Sequence, residues 1–398
     1  MSTEDIITRA EQAYRDLDDY CRGENYRGWD PYDGLNSKVF RALGLHRSAT
    51  LRLYWSQAFK RLPINLRPLA GVDKGLNPKG IALFVTAYAQ EYLRRADGSL
   101  ANDIERLGDL LISLATPGYS GACWGYNFDW QSRIFFQPAY TPTVVASSFA
   151  ARALMDAYDV TGRARFLAAA LSTTEFIKKD LNRTETDHGP ILSYSPMDTS
   201  RVYNASLLGG FVLARGHGYS PNDEGVDLAL RIARAVIASQ HDDGSWVYGE
   251  AKVQGWVDSF HTGYNLDSLD AIRAITDDRQ LAAAVDLGFK YYMAHFFETD
   301  GTPRYYNDRT YPIDIHCPAQ LFVTLARLGQ TEAYWDLGVR VLNWTLGHMA
   351  DRRGFFYYQI KPAFSSRIPY MRWSQAFMLQ GLSYFLSSAN LIAKQQNH

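Results

Sequence analysis

Two histidines stand where their neighbours would let them move protons. His261 lies in WVDSFHTGYNLDSL, with Asp258 three residues before it and Tyr264 and Asn265 one turn after it. At helical spacing such side chains share one face. Imidazole exchanges protons near neutral pH and a carboxylate can orient it, so Asp258 and His261 read as an acid/base pair with Tyr264 beside them. The competing use of the same residues is a helix start, in which Asp258 or Thr262 satisfies free backbone N–H groups. His316 follows in YPIDIHCPAQ, with Asp314 two residues before it. No His-x-x-x-His pair accompanies either histidine, so neither a metal nor another cofactor is expected.

Tyrosines add a second source of acid/base chemistry. Proton abstraction beside a uronate carboxylate needs a base and a cation for the developing enolate, which Tyr or His with Arg or Lys supplies. Tyr126, Tyr203, Tyr264, Tyr306 and Tyr358 are the candidates. Hydrolysis would need two carboxylates at a set separation, for which Asp129, Asp258 and Asp314 are available. Expected ligand-binding residues are Trp124, Tyr126, Asn127, Asp129, Arg133, Tyr203, Asn265, Tyr306, Asp314, Tyr358, Arg372 and Trp373. They place rings beside guanidinium, amide and carboxylate groups, a mixture that suits an anionic carbohydrate. About half of such loop residues serve instead to brace hairpins through buried hydrogen bonds.

These residues recur at one place in a repeat. Apolar helices are predicted to start near Asn77, Thr143, Tyr203, His261, Ile315 and Met371, roughly 54 to 66 residues apart, the length of a helix pair with its loops. Amphipathic helices precede them near 4–22, 103–117, 163–181, 225–240, 279–297 and 332–349. Gly162 and Gly329 mark helix ends. Short hairpins are expected at CWGYNF, ILSYS, SWVYGE, PRYYND and FFYYQI. The segment from about 24 to 76 breaks the period and is expected to form a lid or to pack beside the ring. Six pairs predict an all-α (α/α)6 toroid, a single domain over 1–398, with the loops before the inner helices gathered at one pole.

The 398 residues carry a net charge of −1, which argues against a nucleic-acid surface over the whole protein. Aromatic residues make up 14%, including 26 Tyr and 9 Trp, more than packing needs and suited to stacking on ligand faces. The N-terminal stretch lacks a signal-peptide pattern and no run is apolar enough to span a bilayer. Cys21, Cys123 and Cys317 are read as reduced thiols, which makes the cytoplasm the expected location.

The stretch from about 100 to 390 resembles the bacterial polysaccharide-biosynthesis proteins of the VpsJ-like group, through WVDSFHTGYNLDSL, IDIHCPAQ and YMRWSQAFML. That resemblance implies a toroid with a role in exopolysaccharide or O-antigen production, and partners in an assembly complex. QHDDGSW, from Gln240 to Trp246, is similar to the QW repeat of terpene cyclases and prenyltransferases, and Asp16 to Asp19 spell their DxDD on the exposed face of the first helix. RWSQAF is similar to a segment of the N-acylglucosamine 2-epimerases, with Phe377 where their acidic residue stands. The leading expectation is an enzyme acting on an anionic glycan or activated sugar as lyase, epimerase or hydrolase. A non-catalytic glycan-binding scaffold is the alternative, and a terpenoid cyclase, which would need a deep apolar cavity, ranks third.

Overall fold

The computed structural model describes residues 2–132 and 136–396. Its helices follow the predicted alternation. In chain order they are α1 (Thr3–Gly23), α2 (Lys38–Ala42), α3 (Ala49–Arg61), α4 (Pro78–Arg95), α5 (Gly98–Ser113), α6 (Val144–Thr161), α7 (Ala164–Lys179), α8 (Tyr203–His217), α9 (Asp223–Ile237), α10 (Ser259–Thr276), α11 (Arg279–His295), α12 (His316–Arg327), α13 (Trp335–Met349) and α14 (Phe377–Gln396). Helices α4, α6, α8, α10, α12 and α14 each touch the next, and α14 touches α4, so the inner ring closes into an (α/α)6 toroid.

Hydrophobic patterning explains which helices go inside. In α6 nearly every residue from Val144 to Met155 is apolar or small, and all of them are buried. Outer α1 instead buries one stripe, Ile6, Ala10, Tyr14, Leu17 and Cys21, and leaves its charged face to water. Outer helices wedge into the gaps of the inner ring, α5 between α4 and α6 and α7 between α6 and α8. Gly162 and Gly329 adopt left-handed backbone at the ends of α6 and α12, as expected of terminators. The ring also needs one close approach: a Cβ on Gly381 of α14 would lie 2.8 Å from the Ala319 backbone of α12.

Between α10 and α12, Asp267 accepts hydrogen bonds from Gln320 Nε2 (3.0 Å) and Thr324 Oγ1 (2.9 Å). Burial pushes its carboxyl up to about 7, from an ordinary 3.8. Between those values the folded protein holds a proton that the unfolded chain has released, so stability falls as pH rises through the window. Asp267→Asn removes that dependence. Relative to wild type, the variant is expected to gain about 4 kcal/mol on going from pH 4 to pH 8 in denaturant titrations. An unchanged difference would show Asp267 to be ionised in the fold.

The strands are small antiparallel pairs: β1 (Trp130–Gln131) with β2 (Phe136–Gln137), β3 (Arg183–Thr186) with β4 (Gly189–Leu192), and β5 (Ile313–Asp314), β6 (Gln359–Ile360) and β7 (Ser365–Ser366) in one sheet. Of the expected hairpins, CWGYNF, SWVYGE and PRYYND form only isolated bridges, such as Gly125 with Pro142 and Val202 with Gly249. Side chains hold two of these loops in place of a ladder. Trp124 Nε1 donates to Leu111 O (2.7 Å) and Trp246 Nε1 to Val236 O (3.1 Å), each tying its loop to the preceding outer helix. Gln240 in QHDDGSW donates to Gly244 O and Ala284 O, a clamp between α9 and α11.

The non-repeating segment supplies α2 and α3, which pack on a separate small core of Phe59, Ala70 and Val72. Two buried arginines pin it to the pole. Arg67 bonds Asp33 (2.6 Å) and the Tyr370 hydroxyl (2.8 Å), and Arg372 bonds Asp30 through two N–H groups (2.6 and 2.8 Å).

Candidate active site

Where the inner helices begin, a cavity of about 420 Å³ opens at the pole. Its floor is the first turn of each inner helix: Lys79, Val145, Asn204, His261 with Tyr264, His316, and Arg372 with Trp373. The loops add Tyr126, Trp130, Tyr194, Tyr248 and Tyr306, and the non-repeating segment adds Tyr32, Gln57 and Lys60. Residues Met371–Ala376 form a π-helical turn leading into α14. Wider turns of this kind are frequent at functional sites, and this one carries both Arg372 and Trp373.

Asp258 caps α10 and also orients His261. Its Oδ1 accepts the His261 backbone N–H (3.0 Å), while Oδ2 accepts His261 Nδ1 (2.7 Å) and Trp256 Nε1 (2.9 Å). With Nδ1 carrying the proton, Nε2 is the basic nitrogen. It has no partner among the described residues, and the ring lines the cavity. Tyr248, itself stacked on Trp256, packs against the imidazole at 4.6 Å between centroids. The two competing uses of Asp258 are therefore both made, one by each carboxylate oxygen.

His316 is held differently. Its ring is sandwiched between Phe260 (4.2 Å between centroids) and Phe377 (3.6 Å), and its Nε2 meets the Tyr264 hydroxyl at 2.6 Å. Burial pushes its imidazole well below the usual range, so it is neutral. Burial likewise raises the Tyr264 phenol. Both groups are neutral, joined by this short hydrogen bond, and His316 Nδ1 is buried without a partner. Behind it, Asp314 accepts from the His316 backbone N–H, Gln359 and Trp373 Nε1. Burial lifts its carboxyl to about 6.

The described cavity wall contains Lys60, Lys79, Arg372 and both histidines but no Asp or Glu. Arg372 is neutralised by Asp30. Lys60 donates to the Tyr32 hydroxyl (2.8 Å). Burial acts to lower the Lys60 ammonium, but Tyr32, Tyr306 and Asp314 outweigh it and leave it raised, hence charged.

Of the residues expected from sequence, the structure brings Tyr126, His261, Tyr264, Tyr306, His316, Arg372 and Trp373 to the cavity, with Asp258 and Asp314 directly behind. It places others elsewhere. Trp124 and Tyr358 are buried in the core, Tyr358 against Trp373 and Tyr370. Asn127 bonds Asn77 (2.9 Å), and Asp129 pairs with Arg41 (2.9 Å). Tyr203 and Asn265 are buried and do not line the cavity. Arg133 lies outside the described residues. Arg372 reaches the cavity, but its Nε and Nη2 are spent on Asp30. Lys79, Asn204, Tyr32 and Lys60 were not apparent from sequence. The first two are each the second residue of an inner helix, so reading that position across all repeats finds them, whereas nothing periodic marks the other two. Among the described residues no group of three or more His, Cys, Asp and Glu is placed to hold a metal ion, and no helix is long and apolar enough to cross a membrane.

Fold and cavity together define a toroid with an aromatic, basic pocket at the pole where its inner helices start. Solved structures share this fold. An unsaturated glucuronyl hydrolase specific for heparin is 14% identical over 99% of each chain, with a TM-score of 0.64. The cellobiose 2-epimerase of Bacillus thermoamylovorans is 13% identical over 79% of this chain and 88% of its own (TM-score 0.61). A GH76 α-mannanase of Bacteroides thetaiotaomicron is 12% identical over 80% of this chain and 88% of its own (TM-score 0.61). No protein-family model matches the sequence, and no curated protein does.

Proposed function

We propose that this chain is a carbohydrate-active enzyme that moves a proton on a sugar, as an epimerase or lyase, with Asp258–His261 as its base. The observation that carries this reading is His261 Nε2, unpaired on the cavity while Asp258 holds Nδ1. Toroids of the same fold that are named as a cellobiose 2-epimerase, a mannanase and a glucuronyl hydrolase support a sugar ligand. The Tyr264–His316 pair, neutral and next to His261, is the second proton-handling group, able to return a proton to another face of the substrate. Hydrolysis by two carboxylates is disfavoured, because Asp258 and Asp314 lie behind the histidines and are held by them and by Trp256 and Trp373.

The ligand is an anionic sugar, a uronate or phosphorylated intermediate, since the described wall bears charged Lys60 and no Asp or Glu of its own. Its aromatic rings stack on the sugar faces. The charged groups on this wall tell against a terpenoid cyclase. Through its motifs the reading extends to exopolysaccharide or O-antigen biosynthesis in the cytoplasm, beside other assembly proteins.

Incubation with uronic acids, hexose phosphates and N-acetylhexosamines in D2O tests the reaction. An epimerase leaves one deuterium in recovered or isomerised sugar, and a lyase gives an unsaturated product. A screen in which sugars bind but neither signal arises would support a glycan-binding scaffold instead.

A further inference from the structure

We infer that Lys79 is a nucleophilic amine that forms an imine with the open-chain carbonyl of the sugar. The ligand class and the base are taken from the function proposed above; the amine is a separate claim.

Lys79 is the second residue of α4, and only 4% of its surface is exposed, on the cavity floor. Its Nζ has no hydrogen-bond or ion-pair partner among the described residues. It sits over three rings instead, 4.0 Å from the centroid of Phe149, 5.0 Å from Phe377 and 5.4 Å from Tyr264. A lysine kept only for structure would have a carboxylate beside it, as buried charges are otherwise costly. The charged group that acts on it most strongly is the Arg372 guanidinium, whose counter-ion, Asp30, makes no ion pair with Lys79. The rings attract an ammonium, but burial and Arg372 act the other way, against a smaller opposing effect of Asp30. Together they push Lys79 well below the usual lysine range. An apolar pocket with a second cation nearby is a setting that frees a lysine amine at neutral pH.

Lys60 is the internal contrast: less deeply buried on the same cavity wall, it is held charged by Tyr32, Tyr306 and Asp314. One cavity thus holds a cation suited to an anion and an amine suited to a carbonyl.

The chemistry balances without a further reactant. The Nζ lone pair attacks the carbonyl carbon, a proton moves from nitrogen to the new oxygen, and the carbinolamine takes up one proton from solvent and loses one water to give a protonated imine. The neighbouring C–H is then acidified, because the iminium accepts the electron pair left behind when a base removes the proton. His261 is the candidate base: it lines the same cavity, its ring 5.9 Å from that of Tyr264, which Lys79 also overlies. Reprotonation of the carbon, addition of one water and return of one proton to solvent release the sugar and restore the neutral amine.

Reductive trapping tests this without knowledge of the natural ligand. The full-length protein is treated with D-glyceraldehyde and sodium cyanoborohydride at neutral pH, and modified lysines are mapped by peptide mass spectrometry. Lys79 is expected to be alkylated roughly tenfold or more faster than Lys60 or the exposed lysines. Unfolding in denaturant should abolish that preference. Labelling of surface lysines with Lys79 left unmodified would overturn the inference. Lys79→Met is expected to lose the fast labelling and to be more stable than wild type, since it replaces an unpaired amine among rings by an apolar chain; a less stable Lys79→Met would point to a structural lysine. Trapping at Lys79 without deuterium exchange sinks the proton-transfer reading alone. Exchange without trapping sinks the imine alone.

Discussion

Replacing His261 by Ala is expected to lower solvent-deuterium incorporation by about 10²- to 10⁴-fold, the usual range for loss of a general base. The fold should survive, because the ring is partly exposed on the cavity and its one side-chain hydrogen bond goes to Asp258. Asp258→Asn separates the two uses of that residue. Asn caps a helix as well as Asp does, so α10 should keep its stability. The amide cannot balance an imidazolium, however, and it can present N–H where Nδ1 needs an acceptor. A large loss of exchange with little change in unfolding free energy would show that orientation of His261, rather than capping, is what the carboxylate does for activity. If both variants exchange deuterium at the wild-type rate, the base lies elsewhere.

The second large effect is on stability. Arg372→Met should cost about 3–5 kcal/mol, since it leaves the Asp30 carboxylate buried without its partner. Asp30 and Arg372 are each under a tenth exposed, and two N–H groups of the guanidinium are committed to the pair. Converting both ends to apolar residues, Asp30→Leu with Arg372→Met, should recover much of the loss, because no unpaired charge is then left behind. Chemical denaturation measures both. The segment carrying α2 and α3 should also become more sensitive to proteases in the single variant, as this pair is one of the two that pin it. A loss under 1 kcal/mol in the single variant would mean that the pair is solvated.

The ring was legible because it rests on period. Charged faces on α1 and α9 and apolar runs on α4, α6 and α8 predict outside and inside by the same physics that buries them. His261 and His316 were legible because helix starts fall at fixed intervals and the pole is where inner helices start. The π-helical turn was not, since Met371–Ala376 has the composition of an ordinary first turn. The destination of Arg372 was hidden for another reason: its partner, Asp30, stands in the one segment that does not repeat. Lys79 went unread because NPKG looks like a helix start, and a lysine there is ordinary until the rings of α6, α10 and α14 are known to surround it.

The closing contact of the ring has a bearing on how the protein is made. Helix α1 packs chiefly against α14, so α1 leaves the ribosome well before the partner it packs against. Until then the apolar faces that α4 and α12 turn toward α14 stay uncovered, and Arg372 and Trp373 are absent from the pole. The pocket therefore comes into being in a single late event, and an interrupted chain carries sticky, incomplete ring rather than a partly active enzyme.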